Sequence, residues 1–121
     1  KSVERGCKMH ELGLVTHVAR TIEEISREEA LTRVASVTLE IGEVSGVISD
    51  YLMDCWEYFR EKSEILKEAK LEIQKIPAVT ICDDCGKPYS TMEFKKICPY
   101  CGSKLTHLVM GNEFNIKEIE A

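Results

Sequence analysis

The chain has 121 residues, 21 acidic against 16 basic, and a formal net charge of −5. That length holds about one domain, or one domain plus a small module, and the acidic balance argues against a dedicated nucleic-acid binder, which carries a basic stripe. With 44% hydrophobic and 31% charged residues the composition is globular rather than disordered, and no run approaches the roughly 20 apolar residues of a membrane span.

Residues 1–8 show no periodicity and do not begin with Met, so they read as a flexible N-terminal extension, either an expression scar or an upstream start. From Met9 the pattern is helical. Leu12, Val15, Val18, Ala19, Ile22 and Ile25 recur at three- and four-residue steps, which predicts a helix over about 11–29 with these side chains on one face. Ala35, Val37, Leu39 and Ile41 then alternate with polar residues, the period of a half-buried strand. Gly42 and Gly46 bracket a turn. A second helix is predicted over about 50–62, with Ser49 as N-cap, Ile48 and Met53 as a hydrophobic staple, and Cys55 a small apolar residue on its buried face.

Ala69, Leu71 and Ile73 alternate with Lys70, Glu72 and Gln74 in a second strand that Pro77 ends. A last strand is expected over about 108–117, with Phe114 and Ile116 inward. The predicted class is α/β, with two helices on a three-stranded mixed sheet. A cysteine-rich insert projects from the sheet edge, between two strands that could pair antiparallel.

No apolar signal-peptide core is present, so a cytoplasmic protein without a membrane partner is expected. Thiols stay reduced in that compartment, and paired cysteines there point to metal or redox chemistry rather than disulfides. Cys82-Asp83-Asp84-Cys85 is followed after twelve residues by Cys98-Pro99-Tyr100-Cys101. Two residues between cysteines let a tight turn aim both sulfurs at one ion, and two such turns complete a tetrahedron, as a structural zinc site requires. Gly86 and Gly102 follow the two pairs, where positive φ is useful. A redox dithiol normally uses one such pair at a helix start. Iron in a rubredoxin-like site uses the same four ligands, so spacing alone leaves zinc and iron open. Lys87, Lys95, Lys96 and Lys104 either offset the thiolate charge or form a solvated surface. Four protein ligands leave no catalytic water position, and the metal therefore holds a fold.

Nickel(II) and copper(II) favour tetragonal nitrogen and oxygen sites, and Met9-His10-Glu11 would suit them if Met9 were the first residue, through the imidazole, the His10 backbone amide and the terminal amine. Alone it is most often just a polar helix start. Four motifs occur in order: Met9-His10-Glu11-Leu12 at a helix start, Gly42-Glu43-Val44-Ser45-Gly46-Val47 after the first strand, the double cysteine pair, and Gly111-Asn112-Glu113 near the end. Together these resemble the HypA/HybF family of nickel metallochaperones over about residues 9–120. The resemblance implies a zinc-stabilised carrier that helps insert nickel into hydrogenase and, in some organisms, urease. It implies His10 as the primary nickel ligand, Glu11 as its neighbouring support with the Met9 backbone as a further donor, and Cys82, Cys85, Cys98 and Cys101 as zinc ligands.

The implied arrangement is a nickel-binding α/β domain over 9–78 and 106–121 and a zinc-binding domain over 79–105. Implied partners are a nickel-handling GTPase, the hydrogenase large-subunit precursor and urease maturation proteins, with the chain a monomer or a homodimer. One departure is that eight residues precede Met9. Family members begin at that Met, so a terminal amine there is lost, and weaker or different nickel ligation is expected, with Cys7 as a substitute soft ligand.

His17 lies seven residues after His10, about 10.5 Å along a helix, too far for one ion to bridge. His107 is expected to be structural or exposed, and Glu40, Glu43 and Asp50 are secondary nickel-adjacent candidates. No nucleophile–base pair, phosphate loop or paired-carboxylate motif is present, so no enzyme is expected. The rival reading is a zinc-ribbon nucleic-acid- or protein-binding adaptor without nickel function.

Overall fold

A computed structural model describes residues 8–121. The lead-in expected over residues 1–8 and the ligand role considered for Cys7 fall, apart from Lys8, outside the described residues. Helix α1 spans Met9–Glu29, strand β1 Ser36–Gly42, helix α2 Ser49–Arg60 and strand β2 Lys70–Ile76. Strands β3 (Val79–Cys82) and β4 (Pro88–Ser90), the single-turn helix α3 (Thr91–Phe94), and strands β5 (Thr106–Met110) and β6 (Phe114–Glu120) complete the chain.

The described chain forms two compact units. The first comprises the chain up to Leu39, Val47–Ile73 and Ile116–Ala121; the second comprises Glu40–Gly46 and Gln74–Asn115. Strands β2, β1 and β6 form one sheet in that order, and β4, β3 and β5 another. The first sheet is mixed. The Lys70 N–H donates to the Ala35 carbonyl (3.0 Å) and the Glu43 N–H to the Ile76 carbonyl (2.9 Å), so β1 and β2 start together and end together. The Ala35 N–H donates to Glu120 and the Gly42 N–H to Glu113, so β6 runs the opposite way. A parallel β1–β2 pair needs a crossover, and α2 supplies it.

In the first unit the α1 stripe Val15, Val18, Ala19 and Ile22 is fully buried, as are Leu52, Cys55 and Trp56 on α2 and Val37 and Leu39 on β1. Each large side chain removed from water contributes roughly 1.5–3 kcal/mol. The Trp56 Nε1–H is not left unpaired, because it donates to the Ala69 carbonyl at 3.0 Å, which Arg60 also reaches at 3.2 Å. Among the described residues no helix is long and apolar enough to cross a membrane.

Four local expectations differ from the structure. The N-cap of α2 is Ile48, not Ser49, and the Ser49 hydroxyl has no hydrogen-bond partner. The partner for that helix start comes instead from Glu11, which accepts the Ile48 N–H at 3.2 Å. Ile48 is 49% exposed and is itself the cap, so it does not occupy the staple position before it. The single last strand is two, β5 and β6, in different sheets, broken at Gly111 with φ +114°. Finally, β2 and β6 flank β1 and do not pair with each other.

The break has a steric cause within the second unit. A side chain on Gly42 would collide with the Gly111 backbone, and one on Gly111 with Ala78. The Glu113 carboxylate accepts the Gly111 N–H at 2.9 Å, and the Glu43 carboxylate accepts the Ala78 N–H at 2.7 Å. The Gly42-Glu43 and Gly111-Asn112-Glu113 motifs therefore serve one close crossing of backbones. Glu43, considered as a nickel-adjacent residue, has its carboxylate engaged there.

Candidate metal centres

The second unit brings its four cysteines together. The sulfurs of Cys82, Cys85, Cys98 and Cys101 all lie within 4.8 Å of one another, with Cys82–Cys101 at 3.5 Å and Cys85–Cys98 at 3.7 Å. Neither spacing is a disulfide, which needs about 2.05 Å. A tetrahedron with metal–sulfur bonds near 2.3 Å has edges of about 3.8 Å. The spacing and the soft donor set fit zinc.

The two knuckles are built alike. The Gly86 N–H returns to the Cys82 carbonyl at 2.8 Å and the Gly102 N–H to the Cys98 carbonyl at 2.9 Å. The Cys82 N–H donates to the Lys87 carbonyl, and the Cys98 N–H to that of Ser103, five residues on in each case. Both glycines sit at φ +75°, the left-handed region expected for them. The Cys85 N–H faces the Cys82 sulfur and the Tyr100 N–H the Cys98 sulfur, each at 3.4 Å.

Electrostatics make the cluster a cation site. Burial pushes the Cys98 thiol up, but the N–H groups of Cys101 and Tyr100 and the neighbouring sulfurs outweigh it and bring it down to about 7. At Cys101 the Ser103 N–H favours the thiolate, yet the Cys82 sulfur, burial and the other two sulfurs push it up to about 12. At Cys85 the Lys87 N–H likewise favours the thiolate, and burial with the sulfurs of Cys98 and Cys82 raises it overall. Among Cys85, Cys98 and Cys101 the thiolate is therefore favoured at Cys98 and disfavoured at the other two, until a cation compensates the charge.

Apolar support around the cluster is thin. Cys82, Tyr89 and Cys98 form its buried group, with Phe94 edge-on to Tyr89 at 6.1 Å. Lys87 lies over the Tyr100 ring at 5.0 Å, and His107 pairs with Asp83 at 2.8 Å. His107 is accordingly exposed and locally partnered, as one of its two expectations had it.

In the first unit, His10 and Glu11 lie in the first turn of α1. Lys8 is the N-cap, and its carbonyl accepts the Leu12 N–H at 2.8 Å. The Glu11 amide turns toward its own carboxylate. The His10 side chain is 62% exposed, while that of Glu11 is only 4% exposed. Glu11 Oε2 lies 3.3 Å from His10 Nδ1 and accepts the Ile48 N–H. Burial pushes the Glu11 carboxyl up, but the Ile48 N–H, His10 and its own amide outweigh it and hold the carboxyl below its ordinary value. Sequence reading places Glu11 at a polar helix start and, by the family resemblance, beside the nickel ligand His10, but not in a buried position. Its burial depends on where α2 begins, which α1 periodicity does not reveal.

Residues 9–121 match the family described as "Hydrogenase/urease nickel incorporation, metallochaperone, hypA". A hydrogenase maturation factor HypA of Rhizobium leguminosarum bv. viciae is 36% identical over 112 residues, 93% of this chain and 98% of the relative. One from Geobacter metallireducens is 34% identical over the same shares. Among solved structures, the Ni metallochaperone HypA from Helicobacter pylori aligns with a TM-score of 0.67 at 26% identity, covering 91% of this chain and 95% of that one. A second HypA solution structure gives 0.71 at 27% identity, covering 93% and 96%.

Proposed function

The chain belongs to the HypA family of hydrogenase/urease nickel-incorporation metallochaperones, and we propose that it binds Ni(II) through Met9-His10-Glu11 and helps deliver it during hydrogenase maturation. The observation that carries this reading is the start of α1. An exposed imidazole stands in the first turn of α1, beside the backbone amides of that turn, so nitrogen donors of the kind nickel prefers are adjacent.

Glu11 acts as support. Its carboxylate holds the Ile48 N–H and flanks His10, so its contribution is to fix the imidazole and the helix start, with its own or the Met9 backbone as a further donor. In the second unit, Cys82, Cys85, Cys98 and Cys101 hold zinc permanently. When bound, that ion supplies cross-linking and charge compensation, and no reaction. In this reading nickel is held by the first unit and zinc by the second, whose sheet includes β5 paired to β3. The partners in this reading are a nickel-handling GTPase, the hydrogenase large-subunit precursor and, in some settings, urease maturation proteins. The setting is the cytoplasm, and no enzymatic turnover is required.

The test is metal analysis followed by nickel titration of the zinc-loaded chain and of His10→Ala. The expected result is loss of specific nickel binding in the variant, with zinc content and the circular dichroism spectrum unchanged. Equal nickel affinity in both would leave the rival adaptor reading standing, and loss of zinc in the variant would refute the division between the two sites.

A further inference from the structure

The second unit also holds a cavity of about 360 Å³ that neither metal reading uses. Lys95, Lys96, Lys104, Thr80 and Thr91 line it, and no carboxylate side chain contributes to its wall. Residues 95–104 contain three lysines and no Asp or Glu, in a chain whose net charge is −5. All three lysines are exposed, and the ion pairs among the described residues involve none of them.

The lysine segment is pinned rather than loose. Lys95 has φ +59°, a left-handed backbone that a non-glycine residue holds only when its surroundings demand it. Its N–H donates to the Thr91 carbonyl at 2.8 Å, and its carbonyl accepts the Tyr89 hydroxyl at 2.9 Å. The Thr106 hydroxyl donates to the Lys96 carbonyl at 3.0 Å, which ties the segment to β5. The Thr80 and Thr91 hydroxyls join at 2.6 Å.

Beside this basic cavity runs an apolar strand edge. In the order β4-β3-β5, strand β5 has one hydrogen-bonded neighbour. Leu105 just before it and Leu108, Val109 and Met110 within it are all exposed, Leu105 by 62%. An edge strand with exposed apolar side chains offers both backbone pairing and hydrophobic contact to a further strand. Unpaired lysines beside it set the sign of the charge that strand should carry. A free oxyanion would engage the lysines but leave the apolar row and the open strand edge unused.

We infer that this face receives an extended segment of a partner protein carrying alternating acidic and apolar side chains, laid along β5 with a carboxylate in the lysine cavity. The test uses the zinc-loaded full chain and amide NMR. The probes are a blocked Glu-Val-Glu-Val-Glu peptide, its Lys-Val-Lys-Val-Lys counterpart and inorganic pyrophosphate. The glutamate peptide is expected to shift the amides of Thr106–Met110 and of Lys95 and Lys96, and the lysine peptide to leave them unmoved. In Lys96→Glu/Lys104→Glu the glutamate peptide should weaken by about tenfold or more, and the lysine peptide should begin to bind. If pyrophosphate moves the lysine amides while the glutamate peptide moves nothing on β5, the site takes a small oxyanion and the inference is wrong. Binding of both peptides alike, or of neither, overturns it as well.

Discussion

The Glu11 carboxylate and the Ile48 backbone N–H meet at 3.2 Å, tying the first turn of α1 to the start of α2. Glu11 thus replaces the side-chain cap that α2 does not supply for itself. Glu11→Ala should lower stability by about 1–3 kcal/mol, the usual cost of stripping a partner from a buried polar group. Glu11→Gln keeps an acceptor oxygen and should lose less. Urea unfolding of the nickel-free protein separates the two, and equal losses would show that the carboxylate's contact with Ile48 is not what matters.

Two glycines should respond in opposite directions. Gly111 has φ +114° and no room for a methyl group beside Ala78, so Gly111→Ala should cost more than about 1–3 kcal/mol of backbone strain alone. Gly13 lies within α1 with open space around it, and Gly13→Ala should stabilise by roughly 0.5–1 kcal/mol. Thermal midpoints that moved the same way in both variants would contradict this.

Removing zinc should dissolve structure locally. The cysteine unit's own buried group is Cys82, Tyr89 and Cys98, so little apolar burial remains once the thiolates repel one another. Chelation, or Cys98→Ser, should abolish amide protection over 79–110 while α1 and α2 stay protected. Hydrogen exchange followed by mass spectrometry reads both regions in one sample. Protection that persisted over 79–110 without metal would show that the ribbon folds unaided.

The Ala69 carbonyl receives two donors, Trp56 Nε1 and Arg60 Nη1. Trp56→Phe alone should cost about 1–2 kcal/mol, because Arg60 still satisfies that carbonyl. Arg60→Ala alone should cost less, since its contact with Glu57 is exposed and weak. The double variant should lose more than the sum, because only then is the carbonyl left without either donor. A double-mutant cycle with strictly additive values would rule out this sharing.

What could be read in the sequence was whatever depends on near neighbours. The cysteine spacing describes a local turn, so the cluster was legible in full, and the three-to-four-residue recurrence from Leu12 to Ile25 located α1. The cap of α2 was not legible, because its acceptor comes from Glu11, 37 residues earlier. The split of the last strand was also hidden. The apolar pattern runs on through Val109 and Met110, and only the crossing of Gly111 over Gly42 forces the break. Strands β3 and β4 and helix α3 have 4, 3 and 4 residues, too short for periodicity to show. The lysines of the cavity stand out in the sequence, but the turn that places Lys95 has φ +59°, which no neighbouring glycine announces.

The four sulfurs are not equivalent in their access. Cys82 and Cys98, the first of each knuckle, are buried, whereas Cys85 and Cys101, the second of each, face solvent. A competing ligand arriving from water therefore meets one sulfur from each knuckle before it meets the other two. Were zinc held by all four, a chelator would reach Cys85 and Cys101 first, while Cys82 and Cys98 would still hold the ion from the buried side.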